Sequence, residues 1–291
     1  MKLGLHANLR KPAAAALVAR AVAAIGDRAT VVLTDELKEV AAGRPTADWA
    51  HLGADLVIVV GGDGTFLRAL RETATPILPV NAGTLGVLAE VDGRPPGELE
   101  AAVERLLARR YFLEERAKLS ADLEGTALPD ATNEYVVHAP RVGKMGEFEL
   151  AFDGVPVGRV RADGLIVATA TGSTAYALSS LGPIVEPEVD AIVLAAIAPF
   201  RVGARALVLG GLRTVRLRAL AAGGPALVLA DGDGEWPLPA GRAVTVFRSP
   251  RRAALVRFGA SFLDRLKGKR ILPWSEEEGA GRGDAVLPPA P

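Results

Sequence analysis

No cysteine occurs among the 291 residues of this chain. That excludes disulfides, thiolate nucleophiles and cysteine-ligated zinc or iron–sulfur centres, and it fits a reducing compartment. Net charge is also absent, since 34 Lys and Arg balance 34 Asp and Glu. No basic field points to nucleic acid, and no acidic excess points to disorder. Apolar runs such as residues 191–199 fall far short of the ~18 residues that a membrane span needs. At the N-terminus Lys2, His6, Arg10 and Lys11 interrupt any apolar signal core. The expectation is a soluble, cytoplasmic protein with neither a membrane nor a nucleic-acid partner. His6, His51 and His138 are scattered without metal-ligand spacing, so no protein-held metal is expected. Neither the P-loop pattern nor the Gly-x-Gly-x-x-Gly fingerprint is present, so a nucleotide site here must be of another kind.

What is present suffices for sizeable cores: 49% of the residues are hydrophobic. The length suits one large domain or two ordinary ones. In the first third, strand-like runs at residues 2–7, 29–34, 55–60 and 77–81 alternate with helical patterns at 13–25, 66–72 and 97–109. That alternation predicts a parallel, doubly wound α/β sheet. Past Tyr111 short strand-like runs dominate, at 134–138, 147–152, 165–168, 191–194, 214–220, 226–230 and 243–247. Asp153-Gly154 sits between two strands as a hairpin turn would, and Val215-Arg216-Leu217-Arg218 alternates as a half-buried strand does. This second part reads as an all-β sandwich. Residues 261–267 read as a late helix, and from Ser275 an acidic, then Gly- and Pro-rich stretch reads as a disordered tail.

Gly61-Gly62-Asp63-Gly64-Thr65 follows the apolar strand at 56–60. It places one carboxylate among glycines beyond a buried strand, where open α/β sheets bind ligands. The glycines are expected to allow positive φ and close approach to phosphate. The plainer alternative is a tight turn in which Asp63 or Thr65 caps the helix. Asn81-Ala82-Gly83-Thr84-Leu85-Gly86 follows another strand and is a second ligand loop or an ordinary turn. Thr171-Gly172-Ser173-Thr174-Ala175-Tyr176 follows an apolar strand that begins after Asp163-Gly164. Its hydroxyls at a helix start suit phosphate or ribose oxygens, or else provide an N-cap. Asn133-Glu134 can read donor and acceptor edges of a purine or sugar, or simply end a strand. Asp231-Gly232-Asp233-Gly234 lacks the rest of a calcium loop and reads as a β-turn. Arg248, Arg251 and Arg252 read as a solvated strand end.

In this order, these blocks resemble the NAD kinase family (ATP-NAD kinases), over residues 2–274. The opening Lys2-Leu3-Gly4-Leu5-His6-Ala7-Asn8 is similar to that family's first strand. Phe262-Leu263-Asp264-Arg265-Leu266 with Pro273-Trp274 is similar to its last helix. The Gly-Gly-Asp-Gly block is shared with diacylglycerol-type lipid kinases. The resemblance implies a Rossmann-like N-terminal parallel-sheet domain (residues 1–112) and a β-sandwich NAD-binding domain (113–258). A helix (259–274) returns to the first domain, before the tail (275–291). It implies transfer of the ATP γ-phosphoryl group, or that of another donor such as polyphosphate, to the adenosine 2′-hydroxyl of NAD. It also implies a homodimer or homotetramer.

On the same resemblance Asp63 matches the proton acceptor and Gly64 a substrate contact. Arg68 falls where some members contact NAD, and Asn133 and Glu134 match the pair that holds the dinucleotide. Lys144 and Arg161 occupy usually basic positions, and Asp163 matches a contact to the nicotinamide half. Thr174, Ala175, Tyr176, Ala177, Leu178 and Ser179 match the segment lining the NAD site. Three departures stand out: Val87 replaces a usual Phe, residues 198–203 replace a stretch containing His and Ser or Thr, and Asp233 replaces a usual Gln. An acid at 233 would repel phosphate unless a cation intervenes. Because the polyphosphate needs charge compensation and no P-loop lysine is present, Mg²⁺ is the expected companion of the donor. Two rival readings remain at this point, a lipid kinase using the same glycine loop and a non-catalytic dinucleotide-binding sensor.

Overall fold

The structure, a computed structural model, describes residues 1–83, 86–141, 143–201, 203–268 and 271. Thr84 and Leu85 of the second glycine loop, Val202 of the divergent stretch, Pro273-Trp274 and the expected tail from Ser275 lie outside the described residues.

The first third forms the expected parallel sheet. Its strands are β1 (Lys2–Ala7), β2 (Thr30–Thr34), β3 (Thr46–Ala47), β4 (Leu56–Gly61), β5 (Ile77–Asn81) and β6 (Val91–Asp92). From β5 the order runs through β4, β1 and β2 to β3, with β6 beside β5. Helices α1 (Ala14–Ile25), α2 (Asp63–Glu72) and α3 (Glu98–Leu107) cover it on both faces. Along β4 the pleat decides which face each residue serves. Ile58 and Val60 pack toward α1 and α3, in a core with Leu17, Ile25, Val103 and Leu106. Val57 and Val59 pack on the other side with Phe66 and Leu70 of α2. This two-sided burial explains why the strand is apolar at every position.

The rest is antiparallel. In chain order it comprises β7 (Phe112–Leu123), β8 (Thr126–Ala131), β9 (Glu134–His138), β10 (Gly146–Phe152), β11 (Val155–Ala162) and β12 (Gly164–Thr169). A short helix α4 (Tyr176–Ser179) precedes β13 (Ala191–Ile197), β14 (Leu207–Gly210), β15 (Val215–Ala219), β16 (Ala226–Ala230), β17 (Asp233–Leu238) and β18 (Ala243–Arg257). One sheet has the order β14-β13-β12-β9-β16-β17. It faces β11-β10-β15-β18, with β7 and β8 continuing beyond β18. Tyr135, Val137, Leu165 and Val167 of the first sheet share a core with Leu119, Phe148, Leu217 and Val246 of the second. The sandwich therefore has an apolar middle, and Glu134, Val136 and His138 alternate onto the outer face of their sheet. The β10–β11 turn has positive φ at both Asp153 and Gly154, as a two-residue hairpin of this twist needs.

β18 departs most from expectation. Its apolar pattern suggests an end at Phe247, yet the strand runs ten residues further. The three arginines lie within the strand and not at its end; Arg251 and Arg252 are exposed as expected, and each of the three also meets a carboxylate. Arg248 pairs with Asp190 at 2.5 Å, Arg251 with Asp130 at 2.8 Å and Arg252 with Glu115 at 3.0 Å. The ladder to β7 shifts register between Arg248 and Arg252 and then resumes. At its far end Leu255 pairs in parallel with Ile77 of β5, so one sheet is continuous through both domains. Helix α5 (Phe262–Gly268) follows, its start closed by reciprocal bonds between Ser261 and Asp264. Among the described residues no helix is long and apolar enough to cross a membrane.

Leu255 is fully buried at this seam. Leu255→Ala is expected to lower the stability by about 2–5 kcal/mol, read by chemical denaturation. A loss under ~1 kcal/mol would show that the seam does not hold the two domains together.

Candidate functional site

Helix α2 begins at Asp63, three residues before the expected start at Phe66. The Gly62 carbonyl accepts the N–H groups of Thr65 (2.8 Å) and Phe66 (3.1 Å), which closes the first turn early. No side chain caps this helix, so the capping alternative for Asp63 or Thr65 does not hold. The Asp63 carboxylate turns instead to the second glycine loop. It accepts the N–H of Val87 at 2.9 Å and that of Leu88 at 3.4 Å. A Cβ on Gly86 would lie 1.6 Å from Asp63 Oδ1, so only glycine lets this loop approach. The glycines at 61, 62 and 64 act differently from expectation, because none has a positive φ. A Cβ on Gly61 would strike the Thr65 side chain at 2.5 Å, whereas Gly62 and Gly64 face open space. They supply room rather than unusual backbone geometry.

That room is a hollow of about 420 Å³ lined by Asn8, Lys11, the residues 61–65, Asn81, Gly83 and Gly86. The α2 N-terminus points its dipole's positive end toward this hollow, which favours an anion. Lys11 adds a positive charge that sequence reasoning missed. The signal was topological: Asn8 and Lys11 follow β1, which pairs with β4 in parallel up to Ala7 and Val60. Both loops therefore leave the same edge of the sheet. Asn8 Nδ2 donates to Thr65 Oγ1 at 3.4 Å. A second cavity of about 340 Å³ shares Asn8, Gly64 and Thr65 and adds His6, Arg10, Glu36 and Arg68. Burial lowers the pKa of His6, whose Nδ1 lies 2.9 Å from Thr34 Oγ1. Arg68 thus faces this cavity and not the one around Glu134.

The other half of the site lies on the outer face of β9. Glu134, Val136 and His138 line a cavity of about 350 Å³ with Lys144, Asp163 and Tyr176. Its geometry rests on Asp231, which sequence reading left as a turn residue. Asp231 indeed turns the chain at φ 51°. Its buried carboxylate also accepts the N–H groups of Thr132 (2.8 Å), Asn133 (2.7 Å) and Glu134 (3.1 Å). Burial pushes the Asp231 pKa up while those three donors pull it down. Burial, and then the charge of Asp231, push Glu134 up to about 8. Glu134 Oε2 has no partner within the protein, whereas both Asp231 oxygens accept N–H groups. Both carboxyls are shifted upward, and the three N–H groups on Asp231 favour the pair's charge there over Glu134.

The hydroxyls of the cluster after β12 donate to the backbone of the same turn and its neighbours. Thr169 Oγ1 donates to the Thr132 carbonyl (2.7 Å) and Ser173 Oγ to that of Ala170 (2.7 Å). Thr174 Oγ1 donates to the Thr171 carbonyl at 3.2 Å. Thr171 Oγ1 accepts Arg116 Nη1 at 3.3 Å. These bonds build a compact turn against Asn133, where a Cβ on Gly172 would lie 2.1 Å from the Asn133 carbonyl oxygen. The turn presents Tyr176, which is 44% exposed, to the cavity. Thr174 and Ala175 precede Tyr176 in the turn, and Ala177 anchors α4 in the core while Leu178 and Ser179 complete the helix. Asn133 is buried behind this surface. Arg161 is not brought to it. Its guanidinium lies 5.0 Å from the ring centre of Phe200, beside a separate open cavity of about 780 Å³.

Asp233 does meet a cation. Arg71, in the last turn of α2, forms an ion pair with it and holds its carboxyl below the usual range. The helix that starts at Asp63 thus ends on the hairpin whose first residue, Asp231, organises Asn133 and Glu134. Lys118 of β7 adds a bond to the Leu70 carbonyl at 2.9 Å. Among the described residues no group of three or more His, Cys, Asp or Glu could hold a metal ion.

Comparison with known proteins points the same way. Residues 9–111 match the family model of the ATP-NAD kinase N-terminal domain, and residues 132–258 match that of the C-terminal domain. The NAD kinase of Methanothermobacter thermautotrophicus is 34% identical over 279 residues, covering 93% of this chain and 96% of the relative. That of Thermococcus sibiricus is 40% identical over 209 residues, covering 71% and 74%. Among solved structures, an NAD kinase from Archaeoglobus fulgidus in complex with ATP superposes with a TM-score of 0.71. It is 29% identical, with 89% of this chain and 94% of that one covered. Yeast NADH kinase complexed with NADH shares the fold at a TM-score of 0.83, with 22% identity and coverage of 99% and 90%.

The raised pKa of Glu134 makes a signed prediction. The native state keeps a proton there up to about pH 8, whereas an unfolded glutamate releases it near 4.5. Between those values the native state binds more protons, so this group's contribution to stability falls as pH rises. Glu134→Gln removes that dependence. Its melting temperature relative to the parent is expected to climb by several degrees from about pH 5 to about pH 8. A difference that stays constant over that range would contradict a protonated Glu134.

Proposed function

Because this chain belongs to the NAD kinase family, whose enzymes make NADP from NAD with ATP, we propose that Asp63 takes the proton of the NAD adenosine 2′-hydroxyl. The observation that carries this reading is the Asp63 carboxylate, anchored by the Val87 and Leu88 N–H groups at the rim of a basic, glycine-lined hollow. The hollow would take the donor's terminal phosphates, with Lys11 and the α2 N-terminus offsetting their charge. The cavity around Glu134 and Tyr176 would take the dinucleotide. A protonated Glu134 can donate a hydrogen bond there while Asp163 accepts one.

In the reaction the 2′-oxygen forms a bond to the γ-phosphorus as the bond from that phosphorus to the ADP oxygen breaks. The hydroxyl proton passes to Asp63. The transition state is loose, so positioning and charge compensation carry much of the rate. Asp63 is the acid lining the hollow, and no multi-carboxylate cage accompanies it among the described residues. Mg²⁺ would therefore come bound to the donor, where it neutralises phosphate charge. ATP is the donor favoured by the family, with polyphosphate as the alternative. Exposed apolar residues on the edge strands, Val155 and Val157 on β11 and Leu207 and Val208 on β14, support assembly with identical chains as a homodimer or homotetramer. The absence of cysteine supports a cytoplasmic setting. The lipid-kinase reading accounts for the glycine loop alone, whereas both domains match NAD kinase models, and the sensor reading finds no support in relatives that are kinases.

Asp63→Asn is expected to lower kcat by roughly 10²–10⁴ with little change in the KM for NAD. NADP formation at the parent rate would remove Asp63 from this role. Lys11→Ala is expected to raise the KM for ATP about tenfold, since a charge-assisted phosphate contact is lost. An unchanged KM for ATP would place the phosphates elsewhere.

A further inference from the structure

Behind both half-sites lies a buried cluster of three arginines and two glutamates. Glu90 comes from the segment before β6, Glu114 and Arg116 from β7, Arg257 from the end of β18 and Arg265 from α5. Arg257 has no exposed surface. Its Nε donates to Glu114 at 2.5 Å, and its Nη1 donates to the Leu88 carbonyl at 2.9 Å and to Glu90 at 3.2 Å. Arg116 lies 2.8 Å from Glu114, and Arg265 lies 3.4 Å from it. Arg257 Nη2, Arg116 Nε and Arg265 Nε are buried without partners.

As a device for stability alone this arrangement is poor. Five charges are taken out of water with one positive charge in excess, and apolar side chains of the same volume commonly do as well or better. Its reach is more informative. Leu88 gives its N–H to Asp63 and its C=O to Arg257. At the other end Arg116 donates to Thr171, in the turn that presents Tyr176. A continuous buried path therefore runs from the Asp63 carboxylate through Leu88, Arg257, Glu114 and Arg116 to the turn at the dinucleotide cavity.

We propose that Arg257 is a positioning residue for phosphoryl transfer. It pins Leu88, and with it the Asp63 carboxylate, in register with the turn that carries Tyr176. This rests on the reading of Asp63 as the proton acceptor. The planar fork is what the role requires, because Nε and Nη1 hold three acceptors, Glu114, the Leu88 carbonyl and Glu90, at set angles that a lysine ammonium cannot reproduce. Misplacement of a reacting group by about 1 Å can cost roughly 10²-fold in rate.

The test is a double-mutant cycle between Arg257→Lys and Asp63→Asn, read as kcat, KM for NAD and melting temperature. Arg257→Lys is expected to stay folded, to lower kcat by ~10–100-fold and to leave KM for NAD within about twofold. In the Asp63→Asn background it is expected to add almost nothing, because the group it positions is already gone. An equal further loss in that background, an unchanged kcat or an effect on KM alone would overturn the proposal. Should Arg257→Lys fail to fold, Glu90→Gln keeps the side-chain shape while removing the charge that faces Arg257, and the same non-additivity is expected. Parent-level activity in Asp63→Asn alone would instead sink the proton-acceptor reading, so the two failures are told apart.

Discussion

The strand from Ala243 to Arg257 is hydrogen-bonded to both domains, and the two halves of the site inherit their separation from it. Its first part pairs with β15 and β7 inside the sandwich, and its last residues reach β5 of the parallel sheet. Asp63 stands beyond β4, next to β5, while Glu134 stands on the sheet facing β18 across the sandwich core. A hinge at a loose linker would leave their distance to chance. A continuous ladder sets it with backbone bonds, and the Arg71–Asp233 pair ties α2 to the opposite sheet as a second strut.

Acidic residues around the site divide the work by environment. Asp63 keeps its carboxylate at a cavity wall, oriented by two backbone N–H groups. Asp231 is sealed in, accepts three N–H groups and shapes Asn133 and Glu134 without reaching the cavity. Glu134 lies beside it, and burial pushes its carboxyl up to about 8, which favours the protonated form that can donate a hydrogen bond. Asp233 is neutralised by Arg71, so it presents no uncompensated charge to an incoming phosphate. Asp231 and Asp233 are thus committed to partners within the protein, and Asp63 and Asp163 are the carboxyl groups left facing the two cavities.

Much of the fold was legible because its signals are local. The alternation of apolar strands and helices gave the parallel sheet, and β5, β9 and β16 begin and end where their apolar runs do. Strand β18 is longer than its apolar run because the exposed Arg251 and Arg252 carry no apolar signal, and the β7 ladder that continues the strand comes from a distant segment. The site blocks were visible by type and order, but several roles were not. The hydroxyls at 169–174 donate to backbone carbonyls that only the folded turn brings near them. Gly86 owes its identity to a side chain 23 positions away, and Lys11 joins the hollow only because β1 lies beside β4. Residues that act through long-range contacts leave no mark on local pattern.

The central claim is that two half-sites on different domains meet on one ribose hydroxyl. A crystal structure of the chain with NAD and a non-hydrolysable ATP analogue tests it most directly. The account predicts the adenosine 2′-oxygen about 2.6–3.2 Å from an Asp63 carboxylate oxygen, with the γ-phosphate over the hollow at Lys11. A 2′-oxygen held by another group, with Asp63 turned away from it, would contradict the account.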